Sequence, residues 1–207
     1  MTAAEIERAV EAAGLKPLKP GAADLFVQYV ELLLRWNARL NLTAIREPSM
    51  IVQRHLVECI QCAQALPAAE SLLDFGSGAG LPGIPIAIVR PEIAVTLGES
   101  QGRKAGFLRE VVRVLGLNAQ VFTGRIEKMA AGQTFDVLTL RAVDRMHEAV
   151  QMATARIRAG GLLVLFATVA TENGLKDTVP SLTWEAPIPL FGMETGVLLF
   201  GRKECFT

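Results

Sequence analysis

The chain has 207 residues, enough for one compact domain with a small helical extension. Hydrophobic residues make up 51% and charged residues 20%, a balance that supplies a sizeable core and excludes intrinsic disorder. Lys plus Arg equals Asp plus Glu at 21 each, so a polyanionic partner would have to be met by local basic faces.

The first residues, Met1-Thr2-Ala3-Ala4-Glu5, carry neither the basic start nor the apolar run of a secretory signal, and nothing later approaches a membrane-spanning run. A cytoplasmic protein that does not contact membranes is expected. The cysteines, Cys59, Cys62 and Cys205, are odd in number and sparse, which suits a reducing compartment. Thr2 and Glu5 have the form of a capping box, and Gly14 with the Pro17–Pro20 stretch ends the helix that follows. From Asp24, the residues Phe26, Tyr29, Val30, Leu33, Trp36 or Asn37, and Leu40 recur at helical spacing. A third helix is predicted after Ser49, running towards Pro67 and burying Ile51, Val52, Leu56, Ile60 and Ala63.

Near residue 70 the period changes. Short apolar runs at 72–75, 93–97, 119–122, 137–140 and 162–166 alternate with amphipathic stretches, one of them carrying Phe107, Leu108, Val111, Val112 and Leu115 up to Gly116. Apolar strands joined by helices predict an α/β fold with a mostly parallel sheet covered on both faces. Leu182-Thr183-Trp184 and residues 196–201 have no helix between them, which predicts an antiparallel hairpin at the C-terminal edge. The organisation expected is a helical extension over 1–67 and a sheet domain over 68–207, packed as one unit.

The segment Leu72-Leu73-Asp74-Phe75-Gly76-Ser77-Gly78-Ala79-Gly80-Leu81-Pro82-Gly83 runs a strand into a glycine-rich turn that opens a helix. Glycines there permit the tight turn and let a ligand approach backbone amides. Gly78-x-Gly80-x-x-Gly83, with Glu99 closing the next strand, matches the dinucleotide fingerprint. Two details favour S-adenosylmethionine over a nicotinamide. Asp74 lies two residues before the first glycine, where a carboxylate can hold the loop and lie near a cationic ligand end, and the loop also reads as Gly76-x-Gly78-x-Gly80.

The run Asp74-Phe75-Gly76-Ser77-Gly78-Ala79-Gly80-Leu81-Pro82-Gly83-Ile84-Pro85 resembles the signature of the bacterial small-subunit rRNA guanine-N7 methyltransferases, also called glucose-inhibited division protein B. The resemblance extends upstream through Trp36-Asn37, Asn41-Leu42-Thr43, Arg46-Glu47-Pro48 and Arg54-His55. Downstream it takes in Glu99-Ser100, Arg103-Lys104, Phe107-Leu108, Arg125-Ile126-Glu127 and Arg141-Ala142. It implies a class I, Rossmann-like methyltransferase that uses S-adenosyl-L-methionine and acts on 16S rRNA or the assembling small subunit. Asp74, Gly76, Ser77, Gly78, Gly80 and Leu81 would then border the methionine part of the cofactor, Glu99 with Ser100 the ribose, and Ile126 with Glu127 the adenine. Arg141, after the fourth strand, would face both cofactor and target base as the catalytic position, and its loss would cost turnover with little cost in stability.

The chain also departs from the family pattern. The fifth strand ends Leu165-Phe166-Ala167-Thr168 without the usual lysine, Glu58 and Cys59 replace aspartate and serine, and Gly98 replaces a bulkier apolar residue. Cys59-Ile60-Gln61-Cys62 is a literal C-x-x-C, but it sits in a helix with no second ligand pair, so it reads as two small packing residues and no metal site. Candidate RNA contacts are Arg54 and His55 in one basic stretch and Arg103 and Lys104 in another; a solvated helix face is the plain alternative for each. No nucleophile–base pairing supports hydrolysis. A methyltransferase for a small molecule or protein, and a catalytically impaired cofactor- and RNA-binding homologue, stay open beside the rRNA reading. A monomer is expected.

Overall fold

In a computed structural model of the chain, residues 1–143 and 145–204 are described. Four helical segments come first: α1 (Ala3–Ala12), α2 (Ala22–Leu40), α3 (Pro48–Ile51) and α4 (Val57–Ala65). The capping box at Thr2 and Glu5 is formed, and Gly14 follows α1 at φ +67°. The third helix starts at Pro48, not after Ser49: Glu47 caps it by accepting from the Met50 amide, and proline suits a first turn whose amides lack partners. It is also not one regular helix, because Val52–Leu56 forms a π-helical turn between α3 and α4. Such turns are uncommon and cluster at functional sites.

The sheet then alternates with helices as predicted: β1 (Ser71–Phe75), α5 (Gly83–Val89), β2 (Ala94–Glu99), α6 (Gly102–Leu115), β3 (Ala119–Thr123), β4 (Phe135–Leu140), α7 (Met146–Thr154), β5 (Ile157–Thr168) and α8 (Val169–Thr178). Three further strands follow, β6 (Leu182–Trp184), β7 (Ile188–Pro189) and β8 (Gly196–Lys203). Among the described residues the strand order is β3-β2-β1-β4-β5-β8-β6, with β7 also on β8. The first five strands are parallel, while β8 is antiparallel to β5 and β6 is antiparallel to β8. The predicted C-terminal hairpin is therefore present, with β6 at the edge and β8 inside the sheet.

Strand alternation sorts the core into two layers. Leu72, Val137 and Val164 face one cluster with Phe26, Leu33, Ile60, Ile84 and Phe107, so the helical extension and the α5–α6 side of the sheet share one apolar core. Leu73, Leu138 and Leu163 face the other, with Ala149, Val150 and Leu175 from α7 and α8. The carboxyl ends of the parallel strands lie side by side, the location where open α/β sheets bind ligands. The N-terminal helices pass over that same edge.

Candidate active site

A cleft of about 620 Å3 opens over the ends of β1, β2 and β4, within the size range of small-molecule sites. Of the residues expected at a cofactor, Gly76, Ser77, Gly78, Leu81, Glu99 and Ser100 line it, as do Ile126, Glu127 and Arg141. Gly80 and Asp74 do not.

Asp74 is 1% exposed and lies beneath the loop, not against a ligand. Its carboxylate accepts from the Thr139 hydroxyl at 2.8 Å and the Gly83 amide at 3.2 Å, so it fastens both ends of the turn to the sheet. A Cβ on Gly83 would fall 2.7 Å from that carboxylate and 2.3 Å from Leu97, which explains a glycine with no need for positive φ. Burial pushes the Asp74 carboxyl up to about 6, against the pull of its hydrogen bonds. Half of the expectation for Asp74 therefore stands: it holds the loop, and it is screened from the cleft.

The loop itself differs from a phosphate cradle. Gly76, Gly78 and Gly80 all have positive φ, but five of the loop amides are spent inside the fold. Gly76 and Ser77 both donate to the Gly98 carbonyl at 2.9 Å, Gly78 donates to Glu99 at 2.9 Å, and Gly80 and Leu81 donate to the Ser77 carbonyl. A pyrophosphate needs such N–H groups free. The carbonyls of Gly76 and Gly78 take no bond among the described residues, so the loop offers the cleft acceptors, which match an ammonium or sulfonium ligand. This corrects the expectation of ligand-facing amides at those five positions and counts against a pyrophosphate ligand there. Glu99, 5% exposed, completes this end: its carboxylate accepts from Gly78 and, at 2.7 Å, from Gln101, and still has lone pairs for hydroxyl donors. At Gly98 a Cβ would lie 2.4 Å from the tip of the Ile126 side chain, so a larger residue there would require that tip to shift.

The other end is built from the helical extension. Arg141 leaves β4 and is buried against α4, its side chain 14% exposed. It donates to the Glu58 carboxylate at 2.7 Å, the Cys59 sulfur at 3.0 Å and the Arg54 carbonyl at 3.2 Å, and its Cζ sits 5.1 Å from the Phe166 ring centre. The π turn presents the Arg54 and His55 carbonyls to this guanidinium. Glu58 is 2% exposed, and burial raises its carboxyl against the pull of Arg141. Removing Arg141 would strand that carboxylate, so the expectation that its loss leaves stability unchanged is corrected.

His55 lines the cleft, its Nε2 3.1 Å from the Thr43 hydroxyl and its Nδ1 3.0 Å from Arg141. Burial and the adjacent Arg141 charge lower it to about 4, so it is neutral at pH 7 and packs and hydrogen-bonds within the helical extension. Thr43 is fixed by Asn37, whose side-chain amide bonds both the amide and the carbonyl of Thr43 at 2.9 Å. Lys104 lines the mouth; Arg54 and Arg103 are exposed outside it. Cys59 and Cys62 are free and wholly buried, and burial pushes the Cys59 thiol up to about 12. Cys205 lies outside the described residues.

Sequence reading missed Thr43, Glu58, Arg125 and Val143 as site residues. Thr43 and Arg125 stood inside recognised segments, whereas Glu58 and Val143 gain meaning only once the chain is folded. Ala142 and Arg145, which follow Arg141 in the chain, take left-handed φ of +50° and +53°. Non-glycine residues bear such strain mainly at functional sites.

A mixed sheet of this order, with its ligand cleft at the strand ends, is that of the class I methyltransferases. The fold matches the TYW2 protein of M. jannaschii solved with AdoMet (TM-score 0.60, 16% identity, 74% of this chain and 77% of that one). It also matches a ribosomal protein L11 methylase of Lactobacillus delbrueckii subsp. bulgaricus (TM-score 0.61, 10% identity, 73% and 80%).

The chain belongs to the GidB family, rRNA small subunit methyltransferase G, which it matches over residues 22–185. Ribosomal RNA small subunit methyltransferase G of Stenotrophomonas maltophilia strain K279a is 44% identical over 176 residues, covering 84% of this chain and 81% of the relative. The protein of that name from Xanthomonas axonopodis pv. citri strain 306 is 42% identical over 162 residues, covering 78% and 74%.

Proposed function

We propose that this chain methylates N7 of a guanine in 16S rRNA, using S-adenosylmethionine, on the free RNA or on the assembling small subunit. The observation that carries this reading is the family match over 22–185, which spans every element lining the cleft. S-adenosylmethionine supplies an electrophilic sulfonium methyl group when bound. The carbonyl-rich loop would hold its cationic end, Glu99 its ribose hydroxyls, and Ile126 with Glu127 its adenine.

Guanine N7 brings its own unprotonated lone pair, so the acceptor needs no general base. His55 agrees with this: at a pKa of about 4 it is a weak base under neutral conditions. The work left to the protein is alignment and exclusion of water. Arg141, locked between Glu58 and Phe166, fixes the wall on which the base would lie, and Thr43 and His55 form its other side. The product base is cationic, and a neutral His55 spares it a like charge.

Lys104 at the mouth and Arg103 beside it would meet phosphates. No helix among the described residues is long and apolar enough to cross a membrane. We place the protein in the cytoplasm as a monomer.

Incubation with methyl-labelled S-adenosylmethionine, unmodified 16S rRNA and native small subunits tests the reading. Label is expected in 7-methylguanosine after digestion to nucleosides. Persistent failure on both substrates, or label in another nucleoside, would overturn it.

A further inference from the structure

Five residues of the cofactor loop have their amides bonded, and the Ser77 and Gly80 carbonyls accept from amides of the same turn and the helix it opens. One more carbonyl is held from outside the loop. The Ala79 carbonyl, between Gly78 and Gly80, accepts from the Tyr29 hydroxyl at 2.7 Å. Tyr29 lies on α2, fifty positions earlier in the chain, and is fully buried. Among the described residues this hydroxyl is the carbonyl's hydrogen-bond partner. The same helix is anchored a second time where Trp36 donates to Glu110 of α6 at 3.1 Å and packs its ring on Phe107. α6 begins directly after Glu99 and Gln101. One helix of the extension is thus fastened to both sides of the cofactor end, to the loop by Tyr29 and to the helix behind Glu99 by Trp36.

A loop whose residues 76, 78 and 80 sit at positive φ has several ways to turn its peptide planes. Rotating the Ala79–Gly80 peptide would swing the Ala79 carbonyl and pull the Gly80 amide off the Ser77 carbonyl, beside Ser77, Gly78 and Ala79 of the cleft lining. A buried, directional bond from outside the loop selects one arrangement before any ligand arrives.

We propose that Tyr29 is a positioning residue for the cofactor: by holding the Ala79 carbonyl it keeps the Gly76–Gly80 loop in the binding-competent arrangement. The inference rests on reading this cleft as an S-adenosylmethionine site. It makes the helical extension a part of cofactor binding and not only a wall for the acceptor. Burial raises the Tyr29 phenol well above its ordinary range, so the hydroxyl keeps the proton it donates.

Tyr29 is the only tyrosine in the chain, so one label reports on it alone. Protein made with 3-fluorotyrosine gives a single fluorine resonance, followed while S-adenosylmethionine is added. Calorimetry gives the dissociation constant for wild type and Tyr29→Phe, which keeps the ring and removes the donor. The resonance is expected to move and to saturate with the calorimetric constant. Tyr29→Phe is expected to weaken binding by about fivefold to twentyfold, because without the bond the loop spends only part of its time in the competent arrangement.

A purely architectural tyrosine would lower the unfolding midpoint and leave the dissociation constant of the folded protein unchanged; that result overturns the proposal. If Tyr29→Phe does not fold, the wild-type fluorine signal decides, and a resonance unmoved at saturation overturns it. Wild type that binds no S-adenosylmethionine overturns the cofactor reading itself, an outcome told apart because calorimetry is run on wild type first.

Discussion

The two ends of the cleft are made in different ways. The cofactor end is main chain over short stretches: the loop at 76–81 hangs from the Gly98 carbonyl, with Glu99 beside it. The acceptor end is side chains gathered from far apart: His55 and Glu58 meet Arg141 across more than eighty positions, and Thr43 joins them through His55. A main-chain site can lose a side chain that faces the ligand and keep most of its own bonds. A buried side-chain network cannot, because each member satisfies another, and a missing partner leaves a desolvated charge or donor behind.

The largest expected effect is therefore at Arg141. Arg141→Ala should lower single-turnover methyl transfer by about a hundredfold through lost alignment. It should also cost about 3 kcal/mol by stranding Glu58, which for a chain of this size lowers the melting temperature by about 6–12 °C. Arg141→Lys should rescue poorly, since a point charge cannot bond Glu58, Cys59 and the Arg54 carbonyl at once. Differential scanning calorimetry beside rapid-quench kinetics checks both halves; an unchanged melting temperature would mean that the network carries no stability.

At the cofactor end, Glu99→Ala should weaken S-adenosylmethionine binding by about tenfold to a hundredfold, from lost charged hydrogen bonds. The melting temperature should fall less than for Arg141→Ala, because Gly78 and Gln101 can bond water instead. Calorimetric titration with equal affinity would remove Glu99 from the site.

Beneath the loop, Asp74 gives a pH signature. Its carboxyl keeps a proton up to about pH 6 when folded, whereas the unfolded chain releases it in the ordinary carboxylate range near 3.8. The folded state therefore binds the extra proton between those values, and this group makes stability fall as pH rises towards 6 and level off above. Asp74→Asn should abolish that slope and gain roughly 1–2 kcal/mol at pH 7. Urea titrations at several pH values follow it, and an unchanged slope would show that Asp74 titrates normally.

The smallest effects belong to the rim. Replacing Arg103 and Lys104 by Ala should each flatten the salt dependence of RNA binding by about one counterion, with cofactor affinity unmoved. An identical slope in filter-binding assays would reduce both to solvated surface.

How much was legible follows the same division. The cofactor end showed in the sequence because glycines at Gly76, Gly78 and Gly80 and the acid at Glu99 are local requirements of a turn and a strand end. The strands showed because their apolar runs are short and bounded. What the loop offers did not show: whether Gly78 presents its amide or its carbonyl depends on a bond to Glu99 made by the sheet register. The acceptor end was legible only in part. Arg141 was visible by its place after β4, but its partners lie on a helix whose approach no local pattern encodes. The neutral state of His55 was not legible for the same reason, since burial beside Arg141 decides it.

The most direct measurement is nucleoside analysis of 16S rRNA from cells lacking this gene, with and without the gene restored. Loss of one 7-methylguanosine on deletion, regained with wild type and not with Arg141→Ala, is the predicted result. An unchanged 7-methylguanosine content would contradict the assignment of this cleft to guanine N7.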